Sequence, residues 1–124
     1  MLDEVGQPLS TFKIQGHQWY WHYESDESQP LNCDSYLIPV RGNHLRVTSS
    51  LSVPSGIVLR FLVTSADVLH SWAIPSWGLK ADAVPGRLNQ LSNILDRQGT
   101  YFGQCSEICG SNHSFMPIIG EVHY

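Results

Sequence analysis

No stretch of this chain approaches the roughly 20 consecutive apolar residues that cross a bilayer as a helix. Its best apolar runs are short: Ile57-Val58-Leu59 is cut by Arg60, and Phe61-Leu62-Val63 ends at Thr64. The start also lacks the basic and apolar regions of a signal peptide. If the chain works at a membrane, the expectation is that a further segment or another subunit holds it there. Basic residues are scarce, seven Lys and Arg against eleven Asp and Glu, for a net charge of −4. That argues against nucleic acid, whose phosphates require clustered cations. There is no internal repeat, no low-complexity tract and no sustained helical period, so bundles and solenoids are set aside. Cysteine is both sparse and odd in number, at three, which rules out complete internal disulfide pairing.

What is present is the composition of one globular domain. The 124 residues are 42% hydrophobic and 15% charged, enough for a core that needs no covalent staple. Glu24, Asp26, Glu27 and Asp34 group the acids. Composition alone reads them as a solvated loop, although an acidic face also speeds encounter with a basic partner.

The strand signals come in order along the chain. Phe12 and Ile14 alternate with Lys13 and Gln15, and Gly16 to Tyr23 is dense in aromatics that favour strands. Trp19, Trp21 and Tyr23 are expected on one face, with Tyr20 and His22 on the other. Tyr36-Leu37-Ile38, Leu45 to Thr48, Ile57 to Thr64, Gly99 to Gln104 and Ile118 to Tyr124 read as further strands, and Leu88 to Leu95, which fits helix or strand, is taken as strand from its neighbours. Val53 to Gly56 reads as a turn, and Ala73 to Arg87, punctuated by Pro and Gly, as loop with brief extended pieces. Many short strands with Pro and Gly between them predict an all-β Greek-key sandwich or barrel.

One stretch carries chemistry. Cys105, Cys109, His113 and Met116 fall within twelve residues, and thiolate, imidazole and thioether together suit copper. A copper-binding β-sandwich adds an upstream histidine, for which His70, just beyond a core strand, is the candidate. A second thiolate has no use in a mononuclear site of that kind but could bridge two ions. Met116 and the backbone carbonyl of Glu107 would then take the weak outer positions. A zinc site built from His70, Cys105, Cys109 and His113 is the alternative, and a redox dithiol is a third. Zinc leaves Met116 without a role. Cys33 has no His or Cys near it in sequence and reads as a small buried residue or an inert thiol. His17 and His22, an odd number of residues apart, are expected on opposite strand faces, unable to chelate together. His44 and His123 read as ordinary surface imidazoles.

Four segments together closely resemble subunit II of cytochrome c oxidase, in its mitochondrial form: Gly16-His-Gln-Trp-Tyr-Trp21, Ser65 to Trp72, Asp82 to Gln90 and Gly103 to Pro117. The resemblance implies a cupredoxin-like domain over residues 11–124, after a leading segment, 1–10, that follows the position of the family's transmembrane hairpin. The chain would thus be a soluble fragment or one product of a split subunit. The resemblance further implies a dinuclear CuA centre. Cys105 and Cys109 would bridge its two copper ions, His70 and Met116 would complete one ion, and His113 with the Glu107 carbonyl the other. The Glu107 carboxylate would ligate a magnesium ion shared with the catalytic subunit. Trp19 would receive electrons, Glu24 and Asp67 would face the lysine-rich surface of cytochrome c, and Asp82 to Arg87 would pack against haem-bearing subunit I. The chain alone would hold no complete oxygen-reducing site. The implied location is the mitochondrial inner membrane, facing the intermembrane space, or the equivalent periplasmic face in bacteria. A nitrous oxide reductase CuA domain and a non-redox zinc- or copper-binding protein are the competing readings. Two departures stand out: Arg46 to Gly56 is shorter than usual and lacks an acidic turn, and Cys33 stands where an apolar aromatic is expected.

Overall fold

The computed structural model describes residues 9–26, 31–38, 46–105 and 116–123. Among them run ten strands: β1 (Leu9–His17), β2 (Tyr20–Ser25), β3 (Asn32–Ser35), β4 (Leu51–Pro54), β5 (Val58–Ser65), β6 (His70–Ile74), β7 (Leu79–Ala83), β8 (Asn89–Ile94), β9 (Gly99–Gln104) and β10 (Pro117–His123). The only helical piece among the described residues is a 3-10 turn at Pro75–Trp77, and no described helix is long and apolar enough to cross a membrane. One sheet has the order β3-β2-β1-β5-β8, a second β4-β10-β9, and β6 and β7 form a two-stranded ribbon.

Alternation places the core. In β1, Phe12 and Ile14 point inward and are fully buried, while Lys13 is exposed. In β5, Leu59, Phe61 and Val63 do the same. These residues join Trp21 and Tyr23 from β2, Trp72 and Ile74 from β6, Leu51 and Val53 from β4, and Ile118 and Val122 from β10 in one contiguous cluster. Two apolar sheet faces closed on each other in this way are the sandwich that the strand pattern predicts. Phe61 lies at the centre, its ring 5.8 Å from Phe12, 5.6 Å from Trp72 and 6.2 Å from Trp77.

Two pairings are parallel, β1 with β5 and β4 with β10. Neither can come from a tight hairpin, and both require the chain to cross between sheets, as a Greek key does. The β1–β5 register runs without a break from Leu9↔Val58 to Gly16↔Ser65.

Several local expectations are corrected. Ala73 to Arg87 is mostly ribbon rather than loop: β6 turns through Pro75–Trp77 into β7, with Gly78 in the left-handed conformation closing the turn. Pro75 and Gly78 there mark the reversal between the two strands, and Pro85-Gly86 a second turn after β7. Leu51–Pro54 is a strand on the edge of its sheet, where Pro54 is tolerated, and the turn comes after it. The strand expected at Tyr36 to Ile38 lies earlier, at Asn32–Ser35, leaving a single bridge from Leu37 to Val47. Of the stretch from Leu45 to Thr48, only that bridge is seen, and Leu45 lies outside the described residues.

His17 and His22 also depart from expectation. The turn at Gln18–Trp19 reverses the chain, so that His17 faces Tyr20 and Gln15 faces His22 across the β1–β2 pair. Cross-strand partners share a face, so both histidines lie on the outer side of the sheet; parity along one strand does not survive the turn. His17 stacks on Tyr20, which stacks on Tyr36, each at 4.5 Å between centroids. Cys33, on β3, packs partly buried against the core, and burial raises its thiol pKa. That is the inert thiol anticipated.

At Gly103 the sheet lies directly against the ribbon. A β-carbon there would lie 1.9 Å from the carbonyl oxygen of Ala73, a backbone atom that cannot step aside. Gly103→Ala is therefore expected to destabilise the domain by about 1–3 kcal/mol or more, as overpacking does. Chemical denaturation of the variant beside the parent measures it, and an unchanged midpoint would show that β6 and β9 are not in steric contact.

Candidate metal centre

The site is assembled at one end of the sandwich, where β1, β5, β6, β9 and β10 meet their connecting segments. His70 opens β6 and is fully buried. Its imidazole lies against Gly16, where a β-carbon would sit 2.8 Å from Cδ2, and 5.8 Å from the Trp21 ring. Nε2 donates to Asp67 Oδ1 at 3.0 Å. The other nitrogen, Nδ1, is buried and makes no hydrogen bond among the described residues. A buried imidazole nitrogen without a partner is unusual enough to require an explanation.

Cys105 follows β9. Its sulfur accepts from the Ser71 backbone N–H at 3.4 Å, and its own backbone N–H donates to the Met116 carbonyl at 3.0 Å. The second contact continues the β9–β10 ladder one step beyond Gln104↔Pro117, so the two ends of the segment bearing Cys109 and His113 are joined. Met116 is buried at 3% exposure in the core cluster, against which Cys105 packs. Burial alone would disfavour the His70 cation, but the Cys105 sulfur and the Asp67 carboxylate outweigh it and raise the ring's pKa above the ordinary value.

His70, Cys105 and Met116 are thus brought to one end of the fold from strands far apart in sequence. Glu107, Cys109 and His113 lie outside the described residues. Among the described residues no three His, Cys, Asp or Glu side chains form a metal-binding group. The donors that are described nevertheless fit copper. A partnerless imidazole nitrogen, a thiol carrying an N–H···S bond and a buried thioether are the soft set copper takes, and the amide on the sulfur is the kind of outer contact that tunes it.

Trp19 occupies the β1–β2 turn and is 47% exposed, close in the fold to Asp67 because the Gln18 N–H donates to Asp67 Oδ2 at 2.8 Å. Val68 and Leu69 are exposed on the same segment as Asp67. Asp67 also accepts from the Val68 N–H at 2.5 Å. Burial would raise its carboxyl pKa, but the Gln18 and Val68 amides, then His70, prevail and hold it below the ordinary value. Sequence reasoning missed these connections, along with the roles of Gly16 and the Ser71 amide. The Gln18 and Gly16 contacts depend on the β1–β5 register and the Ser71 contact on β6 lying beside β9, which no short motif records.

The sequence matches the family of periplasmic domains of cytochrome c oxidase subunit II over residues 10–122. The chain belongs to that family. Its structure is similar to the periplasmic domain of cytochrome oxidase subunit II (CoxB) of Bradyrhizobium japonicum. The TM-score is 0.84 at 39% identity, with 99% of this chain and 88% of that one covered. A cytochrome c oxidase subunit II captured as a mixed disulfide with a thioredoxin-like protein matches at TM-score 0.81 and 40% identity, over 98% and 86% of the two chains. A chain of a heme-copper terminal oxidase dimer matches at 0.66 and 22% identity, over 98% and 69%; that likeness is one of fold. The cupredoxin-like fold and the place of this domain as the electron-transfer part of an oxidase complex, on the outer face of a membrane, follow from the family.

Glu24, on the outer face of β2, is tied to a neighbour. His22 lies between two carboxylates, with Nδ1 2.5 Å from Asp34 and Nε2 3.0 Å from Glu24. Both can be hydrogen-bonded only if both nitrogens carry protons. Burial lowers the ring's pKa, yet Asp34 and Glu24 raise it further, so the net shift is upward from 6.5. A raised folded-state pKa contributes stability fully present below 6.5 and lost as pH rises through the folded value. Thermal unfolding of the parent should therefore lose midpoint temperature over that rise relative to His22→Gln. Parallel pH profiles for the two proteins would show that the imidazolium does not tie β2 to β3.

Proposed function

We propose that this domain holds a dinuclear copper centre of the CuA kind and passes electrons one at a time from cytochrome c to haem a of the catalytic subunit. The observation that carries this reading is the buried, unpartnered Nδ1 of His70 beside the sulfur of Cys105 and the buried Met116. When bound, copper supplies a one-electron couple at the protein surface.

The chain's residues supply the rest. His70 offers Nδ1 because Asp67 occupies Nε2. Cys105 and Cys109 would hold the copper through their thiolates, and His113 through a second imidazole. Met116 and the Glu107 carbonyl would be the weaker donors. The amide of Ser71 draws charge from the Cys105 sulfur, which bears on the reduction potential. The Glu107 carboxylate is proposed to ligate a magnesium ion at the boundary with subunit I, and Asp82 to Arg87 to lie against that subunit. Trp19, exposed on its turn, is proposed to receive the electron, with Glu24 and Asp67 giving the acidic field that steers cytochrome c into place. The membrane is proposed to be the mitochondrial inner membrane, with the domain in the intermembrane space; in a bacterium the same face is periplasmic. Residues 1–10 are proposed as a leading segment and 11–124 as the copper domain. Family membership favours the oxidase over a nitrous oxide reductase.

Reconstitution with copper, followed by electron paramagnetic resonance and a count of copper per chain, tests the centre. The expected result is two coppers per chain and hyperfine structure from one electron shared between two nuclei, abolished in Cys109→Ser. A single-copper spectrum in the parent, or a shared-electron spectrum surviving in Cys109→Ser, would defeat the proposal. Met116→Leu is expected to keep both coppers and shift the reduction potential; an unmoved potential would remove Met116 from the ligand set.

A further inference from the structure

We propose that Asp67 is a positioning residue. Its carboxylate fixes the tautomer and orientation of His70 and, with its other oxygen, fastens the turn bearing Trp19 to the same segment. The ligand and the electron-receiving turn are thereby set by one group.

Three of the carboxylate's roughly four acceptor sites are taken inside the protein. Oδ1 takes the Val68 N–H at 2.5 Å and His70 Nε2 at 3.0 Å; Oδ2 takes the Gln18 N–H at 2.8 Å. A carboxylate only accepts, so a neutral His70 must carry its proton on Nε2 and present the Nδ1 lone pair to the interior. The turn is held from its other flank as well, where the Ala66 N–H donates to the Gly16 carbonyl at 2.9 Å, while the Ser65 hydroxyl donates to the Val68 carbonyl on the Asp67 segment. Between these contacts the ring rests on Gly16. A docking acid acts through its field and needs no internal partner. Here the side chain is 34% exposed and bonded to three donors on two segments. The ligand half of the inference rests on the copper reading under Proposed function; the tautomer and the fastening of the turn do not.

Two substitutions separate the arms. In Asp67→Asn the charge is gone, but the amide oxygen still accepts from His70 and Val68, while its NH2 faces the Gln18 N–H, donor to donor. In Asp67→Ala both arms are lost. The first measurement is made on the metal-free parent chain, at a pH where the ring is neutral. Nitrogen chemical shifts of His70 are expected to show the Nε2–H tautomer, and the Gln18 amide to exchange slowly. An Nδ1–H tautomer, or an unprotected Gln18 amide, overturns the proposal whether or not any variant folds. Asp67→Asn is expected to speed Gln18 exchange roughly tenfold, the loss of one charge-assisted hydrogen bond, with the tautomer kept. Asp67→Ala is expected to mix the tautomers and, with copper added, to shift the reduction potential and hyperfine couplings. Should both variants match the parent in exchange, tautomer and copper spectrum, and differ only in the salt dependence of reaction with a basic protein, Asp67 acts through its field alone and the proposal fails. If the chain takes up no copper while the metal-free results hold, the copper reading fails and the positioning of His70 and the turn stands.

Discussion

The parallel register between β1 and β5 is the constraint on which the rest depends. Because the two strands run the same way and stay in step from Leu9↔Val58 to Gly16↔Ser65, they leave the sheet at the same end and at the same level. Beyond Gly16 comes the turn carrying Trp19; beyond Ser65 comes the segment carrying Asp67 and His70. An antiparallel pairing would have put the two at opposite ends of the molecule, a strand length apart. The β9–β10 pair adds the third component at that end, with Cys105 and Met116 bonded through their backbones as the ladder closes. Three chain segments distant in sequence are brought together by ordinary sheet hydrogen bonds, and the core beneath them is what keeps those sheets facing each other.

The core and the site share residues. Trp21 packs in the interior and also lies beside the His70 ring. Met116 is counted both among the buried apolar residues and among the expected copper donors. Trp72, two positions beyond His70, is fully buried against Phe61. The acidic outer surface of β2 and β3 is organised separately. There His22 bridges Glu24 and Asp34, and the stacked rings of His17, Tyr20 and Tyr36 run alongside. The acids that composition read as a solvated loop are in part an ordered array.

Much of this was legible in the residues. Alternation identified β1, whose residues go by turns to core and solvent, and the apolar run from Ile57 to Thr64 identified β5, whereas Leu88 to Leu95 was assigned from its neighbours and not from a period of its own. The cysteine-rich stretch pointed to copper because soft donors rarely cluster without cause, although Cys109 and His113 lie outside the described residues. The features that were not legible are those that depend on one segment meeting another. The parity argument separated His17 from His22, and the turn at Gln18–Trp19 reversed it. The Pro- and Gly-rich stretch after Ile74 read as loop because breakers say where a chain turns but not whether it returns as a strand. Asp67 read as a surface acid because one of its partners, Gln18, lies 49 residues away in sequence, and the sequence does not show that its neighbours Val68 and His70 turn back onto it.

The glycine at position 103 has a consequence for how the site handles charge. With no side chain there, β9 lies directly against the backbone of β6 at Ala73, so the strand leading to Cys105 and the strand opened by His70 are locked face to face. Neither can slide or lift without disturbing the other. A redox centre of the proposed kind, gripped between two such strands, would be unable to lengthen or rotate its bonds appreciably when its charge changes by one unit. The nuclear rearrangement on electron gain would then be small, and fast transfer across a modest driving force would be a property of the scaffold as much as of the bound ions.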